Sequence, residues 1–205
     1  MQKLGARDSR RTRLTRLLCA ILVVASIGFC AHSIDCEAET VIKSVPAAAE
    51  QRHAFDFLHG SWRVHHHRLR ARLAHSSDWE DFDGTSRCWG ILGGDGNVDD
   101  NVIEFPSGTY RASTMRVFDA RAGVWRIWWF DARNVETLDP PLVGSFHDGV
   151  GTFYADDNWQ GKPIRVRFLW RSASSDSARW EQAFSDDKGK TWETNWVMSF
   201  EKVHE

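Results

Sequence analysis

Between Ile164 and Phe200 nearly every second side chain is apolar. Ile164, Val166, Phe168 and Trp170 alternate with Arg165, Arg167, Leu169 and Arg171. Ala178, Trp180, Gln182 and Phe184 alternate with Arg179, Glu181, Ala183 and Ser185. Trp192, Thr194, Trp196, Met198 and Phe200 alternate with Glu193, Asn195, Val197, Ser199 and Glu201. A repeat of two residues belongs to a strand with one wet face, whereas a helix repeats every ~3.6. The breaks at 172–177 and 185–190 are rich in Ser, Asp and Gly, the residues of tight turns. These segments are therefore consecutive antiparallel strands.

Earlier segments carry the same pattern. Strands are expected over 62–73, 79–89, 98–105, 109–118, 125–130, 143–147 and 152–155, with a short helical turn at 54–58. Asp119-Ala120-Arg121-Ala122-Gly123 reads as a hairpin turn with Gly where a positive φ is needed. All 11 Trp, both Tyr and 11 of the 12 Phe lie in 55–205, so the apolar faces are built of large rings that must be buried. A sheet rolled onto itself buries one face and removes exposed edges. The expected fold is all-β: a single antiparallel barrel of about nine or ten strands, occupying residues 54–205.

The two ends of the chain differ in charge. Residues 1–16 carry Lys3, Arg7, Arg10, Arg11, Arg13 and Arg16 against one acid, Asp8. Residues 17–31 are uncharged and mostly apolar, too short for the ~20-residue span of a membrane helix but suited to the core of a secretory signal. Ala31-His32-Ser33 has small residues at both specificity positions, so residues 1–33 are expected to be a signal peptide cleaved before Ile34. Residues 34–53 read as a linker. The expected destination is periplasmic or secreted, and any membrane contact would come only through an uncleaved signal segment. Without residues 1–33 the chain has 20 basic and 27 acidic side chains, a net charge of −7. That excludes a nucleic-acid binder, which needs a basic footprint. Cleavage would leave Cys36 and Cys88, either bonded or as two thiols.

Gly60-Ser61-Trp62 follows the apolar turn Phe55-Asp56-Phe57-Leu58 and opens the first strand. A short turn, a G-x-W and a strand meander resemble the lipocalins and wider calycin barrels, in which the Trp closes the barrel floor. The stretch 55–200 also resembles a bacterial calycin-like family of unknown function. The pieces that carry this are Phe55-Asp56-Phe57, Gly60-Ser61-Trp62, 79–85 (Trp-Glu-Asp-Phe-Asp-Gly-Thr), 97–101 (Asn-Val-Asp-Asp-Asn), Phe118-Asp119 and 179–185 (Arg-Trp-Glu-Gln-Ala-Phe-Ser). The resemblance implies a lipocalin-like fold and transfers no catalytic residues. Cys88 and the basic leader depart from the family pattern.

Other motifs divide between turn, surface and site. Ser185-x-Asp187-x-Gly189-x-Thr191-Trp192 matches the Asp-box of sialidase propellers, a structural hairpin turn there, and one copy here reads the same way. His65 and His67 share a strand face and His66 takes the other. An H-x-H pair can supply zinc ligands, but Arg63, Arg68, Arg70 and Arg72 make the neighbourhood cationic, so a solvated face is the main reading. Haem ligation would fall to His66 or His147. Asp95-x-Asn97-x-Asp99 has part of a calcium-loop pattern without its Gly and distal Glu, and reads better as solvated loop. No nucleophile elbow, phosphate loop, dinucleotide fingerprint or CxxC occurs. Neither a metal nor a cofactor is expected.

If the apolar faces point inward, they wall a pocket with few polar groups, the usual chemistry of a small-molecule site. The expected ligand is small and apolar or aromatic, with a polar end. Asn101, Arg116, Gln182 and Thr194 would orient that end, and Trp128, Trp180 and Trp196 would stack on the rest. Two rivals share the barrel. One is a proton-transfer enzyme (isomerase, cyclase or hydratase) with Asp83 as base and Arg116 or His66 stabilising charge. The other is a structural envelope protein whose barrel is filled by its own rings.

Overall fold

The computed structural model describes residues 50–204. The signal segment, most of the linker and Cys36 lie outside the described residues. Ten strands follow in order: β1 (Gly60–Leu69), β2 (Trp79–Ile91), β3 (Gly96–Phe105), β4 (Gly108–Asp119), β5 (Val124–Asp131), β6 (Leu142–His147), β7 (Val150–Trp159), β8 (Lys162–Ser174), β9 (Ser177–Ser185) and β10 (Glu193–Val203). Each pairs antiparallel with the next, and β10 returns to pair with β1. The closed barrel is the expected fold, at the higher of the two strand counts.

The turns form where the sequence places them. Gly123 takes φ 65° in the β4–β5 turn, and the Asp119 carboxylate accepts the N–H groups of Arg121 and Ala122. In the β9–β10 turn Ser185 Oγ donates to Asp187 and accepts the Gly189 N–H. Asp187 in turn accepts from Lys190 and Thr191, and the Trp192 indole donates to Gly189 O. The Asp-box is thus a turn. The first strand ends earlier than expected, at Leu69. The 70–78 loop bends away through left-handed residues Leu73 (φ 53°) and His75 (φ 52°), and Leu73 N–H is held by Glu193 Oε1 at 2.6 Å.

The lower end, where β1 begins, is plugged. A 3₁₀ turn at Asp56–Leu58 enters the barrel mouth there, and Phe55 in front of it is fully buried. Its ring meets Trp125, Phe146, Phe153 and Trp170 at centroid distances of 4.8–6.0 Å. The plug is tied down by polar contacts. Trp62 Nε1 donates to Leu58 O at 2.7 Å, so the Trp of G-x-W helps close this end of the barrel. Trp125 Nε1 donates to Gln51 O at 2.7 Å. The Gln51 side chain bonds both backbone groups of Phe146, extending β6 as a further strand residue would. Cys88 also lies in this core with no cysteine partner among the described residues, its thiol pushed up to about 12 by burial.

The wall has one weak place. β5 and β6 pair only through Trp125, Arg126 and Ile127. Above them the chain runs through Asp139-Pro140-Pro141, and proline has no N–H to give a ladder. β6 therefore starts only at Leu142, and the upper halves of β5 and β7 stay apart.

Replacing Phe55 by Ala should remove about 3–5 kcal/mol, the usual loss for a large buried ring. Urea unfolding checks this. A change below ~1 kcal/mol would show that the plug contributes little to the fold.

Candidate functional site

Strand pairing fixes which side chains face the barrel axis. On β7 to β10 they include Phe168, Trp170, Trp180, Phe184, Trp196 and Phe200. On β3 and β4 they include Asp99, Asn101, Thr114 and Arg116. Between this aromatic wall and this polar wall lies a cavity of about 190 Å³. A buried apolar cavity of about 150 Å³ takes up benzene, so this one holds a small ring system without rearrangement. The interior is not filled. The cavity reaches the surface through the gap above β6, past Trp129, Pro140, Asp139 and Asp157.

Arg116 is 2% exposed. Its Nη2 pairs with Asp99 Oδ2 at 2.7 Å and its Nη1 donates to Asn97 Oδ1 at 3.0 Å. Its guanidinium also lies over the rings of Phe55 and Trp170, at 5.4 and 5.2 Å. Asp99 Oδ1 accepts from Thr114 N–H and from the Asn101 amide. The expected ligand-orienting cation is therefore already neutralised by the protein, and the polar wall behaves as one hydrogen-bonded unit.

His66 is also 2% exposed. Its ring stacks on Phe82 at 4.8 Å, and its Nδ1 accepts the Trp196 indole N–H at 3.2 Å. An indole nitrogen only donates, so Nδ1 is bare and the proton sits on Nε2. Nε2 rests over Gly84 with no partner, 3.0 Å from where a Cβ would stand. A Cβ at position 84 would meet the Val102 carbonyl as well as this ring, so only glycine fits there. Burial pulls the His66 pKa down to about 4.

Gln182 faces the cavity and donates from Nε2 to Asn195 Oδ1 at 2.9 Å. Asn195 is fully buried and donates weakly to Glu193 O. It owes its position to a bulge, because the β9–β10 register slips between Thr194 and Trp196.

Of the residues expected at the site, Asn101, Arg116, Trp180, Gln182, Trp196 and His66 line the cavity. Trp128, Thr194 and Asp83 do not. Trp128 is opposite Met115 on the outer face, and its neighbour Trp129 lines the cavity. The bulge turns Thr194 and Trp192 away from the side Trp196 takes, and Trp192 packs outside against Tyr154 and Arg167. Asp83 points outward and bonds His65 at 2.9 Å, as Asp81 bonds His67 at 2.8 Å. The Asp83 bond, chief among several carboxylate contacts, raises the His65 pKa. A base at Asp83 cannot reach a cavity ligand.

The His65 and His67 pair thus lies on the solvated face, its nitrogens turned to carboxylates. Among the described residues no three His, Cys, Asp or Glu are set to hold a metal ion. For haem, His66 has one nitrogen bonded and the other sealed over Gly84, and His147 is exposed beside Ser145. Asn97 and Asp99 belong to strand β3 and face inward, so the 95–99 stretch is neither calcium loop nor solvated loop. Sequence reasoning missed Asp99, Thr114, Trp129 and Asn195. Period-two reading of 97–101 could have found Asp99, since Asn97, Asp99 and Asn101 share one face.

A solved structure with this architecture is the S-type phycobiliprotein lyase CPES from Guillardia theta, at TM-score 0.52 and 10% identity, covering 78% of this chain and 97% of that one. The fold is lipocalin-like. At that identity the likeness concerns the fold alone. No protein-family model matches the chain, and no curated protein does.

The lowered His66 pKa links the site to stability. The folded state holds His66 neutral down to about 4, while the unfolded side chain protonates near 6.5. The unfolded chain binds more protons between those values, so stability falls as pH drops through that window, by about 2–3 kcal/mol from this group. In the variant His66→Gln, the fall in urea-unfolding free energy from pH 7 to pH 4 should be smaller by roughly that amount. Parallel curves for the two proteins would contradict a buried neutral imidazole.

Proposed function

We propose that this chain is an exported barrel that binds a small apolar or aromatic molecule with a polar end. The observation that carries the reading is the cavity itself: an aromatic wall facing a polar wall, plugged below and open above β6. Rings give large, sequence-tolerant contact area, and a few polar groups set orientation. A lipocalin-like barrel in another protein works as a phycobiliprotein lyase, which supports a barrel that handles small molecules. The filled-barrel reading conflicts with the open cavity, and the proton-transfer reading lacks its base, since Asp83 is outside. Export to the periplasm or beyond rests on the leader, residues 1–33.

Two experiments address this reading. Native mass spectrometry of freshly purified protein, followed by calorimetry with a panel of aromatic compounds, should find a bound small molecule. Gln182→Leu should then weaken binding at least severalfold while thermal unfolding stays cooperative. The fold should tolerate the change because stranding the Asn195 acceptor costs only about 1–3 kcal/mol. Normal binding by that variant would move the polar end of the site elsewhere. For export, N-terminal sequencing of the mature protein should begin at Ile34, and an intact Met1 on soluble protein would refute cleavage.

A further inference from the structure

Three arginines lie against interior rings of the barrel, and they are not equivalent: Arg116 lines the cavity above the plug, whereas Arg68 and Arg72 stand at the upper rim, outside its lining. Arg116 is paired with Asp99. Arg68 is paired with Glu80 and lies 4.0 Å from the Phe105 centroid. Arg72, in the loop between β1 and β2, lies over aromatic rings and, among the described residues, makes no ion pair. Its guanidinium stands 5.2 Å from the Trp159 ring, 5.8 Å from Phe184 and 5.7 Å from Trp196. Phe184 and Trp196 belong to the aromatic wall of the cavity.

The acids nearest Arg72 are engaged elsewhere. Glu80 holds Arg68 and, at 3.1 Å, Arg70. Glu193 accepts the Leu73 N–H at 2.6 Å. Among the described residues no carboxylate pairs with Arg72 and no protein acceptor takes its N–H groups. Burial lowers its pKa to about 10, with the nearby Arg68 charge adding to the effect, so it remains charged at neutral pH. A partly buried guanidinium without a counter-charge is unfavourable, and its planar fork of donors matches a carboxylate in two parallel bonds.

We propose that Arg72, standing at the rim over two rings that line the cavity, is its anion anchor: the ligand carries a carboxylate that meets Arg72 while its apolar body lies against Phe184 and Trp196. This deepens the small-molecule reading and rests on it. The position is specific to Arg, because a lysine would keep the charge and lose the fork.

The test compares naphthoate with naphthamide, which has the same shape and no charge, by calorimetry on the wild type, Arg72→Gln and Arg72→Lys. The wild type should prefer naphthoate. In Arg72→Gln that preference should fall at least ~10-fold, mostly through weaker naphthoate binding, with naphthamide binding serving as the check that the cavity is intact. If Arg72→Gln does not fold, Arg72→Lys, which keeps the charge and the stem, carries the test through a severalfold loss of the same preference. A preference unchanged in the folded variant overturns the proposal. So does a wild type that binds naphthamide as well as naphthoate, and that result leaves the small-molecule reading standing. Binding of neither compound overturns both.

Discussion

A ring of ten strands encloses more space than side chains pointing inward fill by themselves, since barrel diameter grows with strand number. Everything else in this molecule follows from how that space is shared out. The lower third receives an added plug, Phe55 and the turn behind it, held by hydrogen bonds from Trp62, Trp125 and Gln51. The middle is lined without being closed. At the upper end Arg68 and Arg72 lie across aromatic rings. The result is a vessel with a floor, two unlike walls and a side opening.

The unlike walls have different energetics. On β7–β10, stabilisation comes from ring burial and edge-to-face contacts such as Phe168 on Trp180 and Trp180 on Trp196. On β3–β4, it depends on the pairing of buried charges, because Arg116 and Asp99 are both almost fully buried and only the Arg116 Nε is left without a partner among them. Such a network tolerates little change. It also lines one side of the cavity with a preset pattern of donors and acceptors rather than a mobile charge.

The fold was legible because alternation in 164–200 was clean and the turns carried Gly, Asp and Ser. The aromatic wall followed directly, and so did Gln182 and Arg116. What alternation could not supply was parity across an irregularity. The bulge at Asn195 moves Thr194 and Trp192 to the other face, and no residue type announces it. In β3 the usual sign is inverted: Asn97, Asp99 and Asn101 share the inner face, while Val98 and Val102 share the other. Hydrophobicity then points the wrong way, and only the partner strand carrying Arg116 explains the acid inside. Asp83 failed for the same reason. It sits next to Gly84, whose lack of a side chain hides that Gly84, not Asp83, takes the inward position beneath His66. Arg72 escaped notice because one more arginine in a basic stretch looks like surface.

The paired prolines ahead of β6 have an effect beyond shaping a mouth. By stopping that strand short they leave residues 128–130 of β5 and 155–159 of β7 without ladder partners on that side, a short open stretch in an otherwise continuous hoop. Unmatched strand margins invite other chains to add on. Here the margin of β7 carries Asp157, beside Asp156 paired with Arg165, and Asp139 also lines the opening. Like charges brought together by a second copy would repel, so this opening disfavours edge pairing with the protein's own kind.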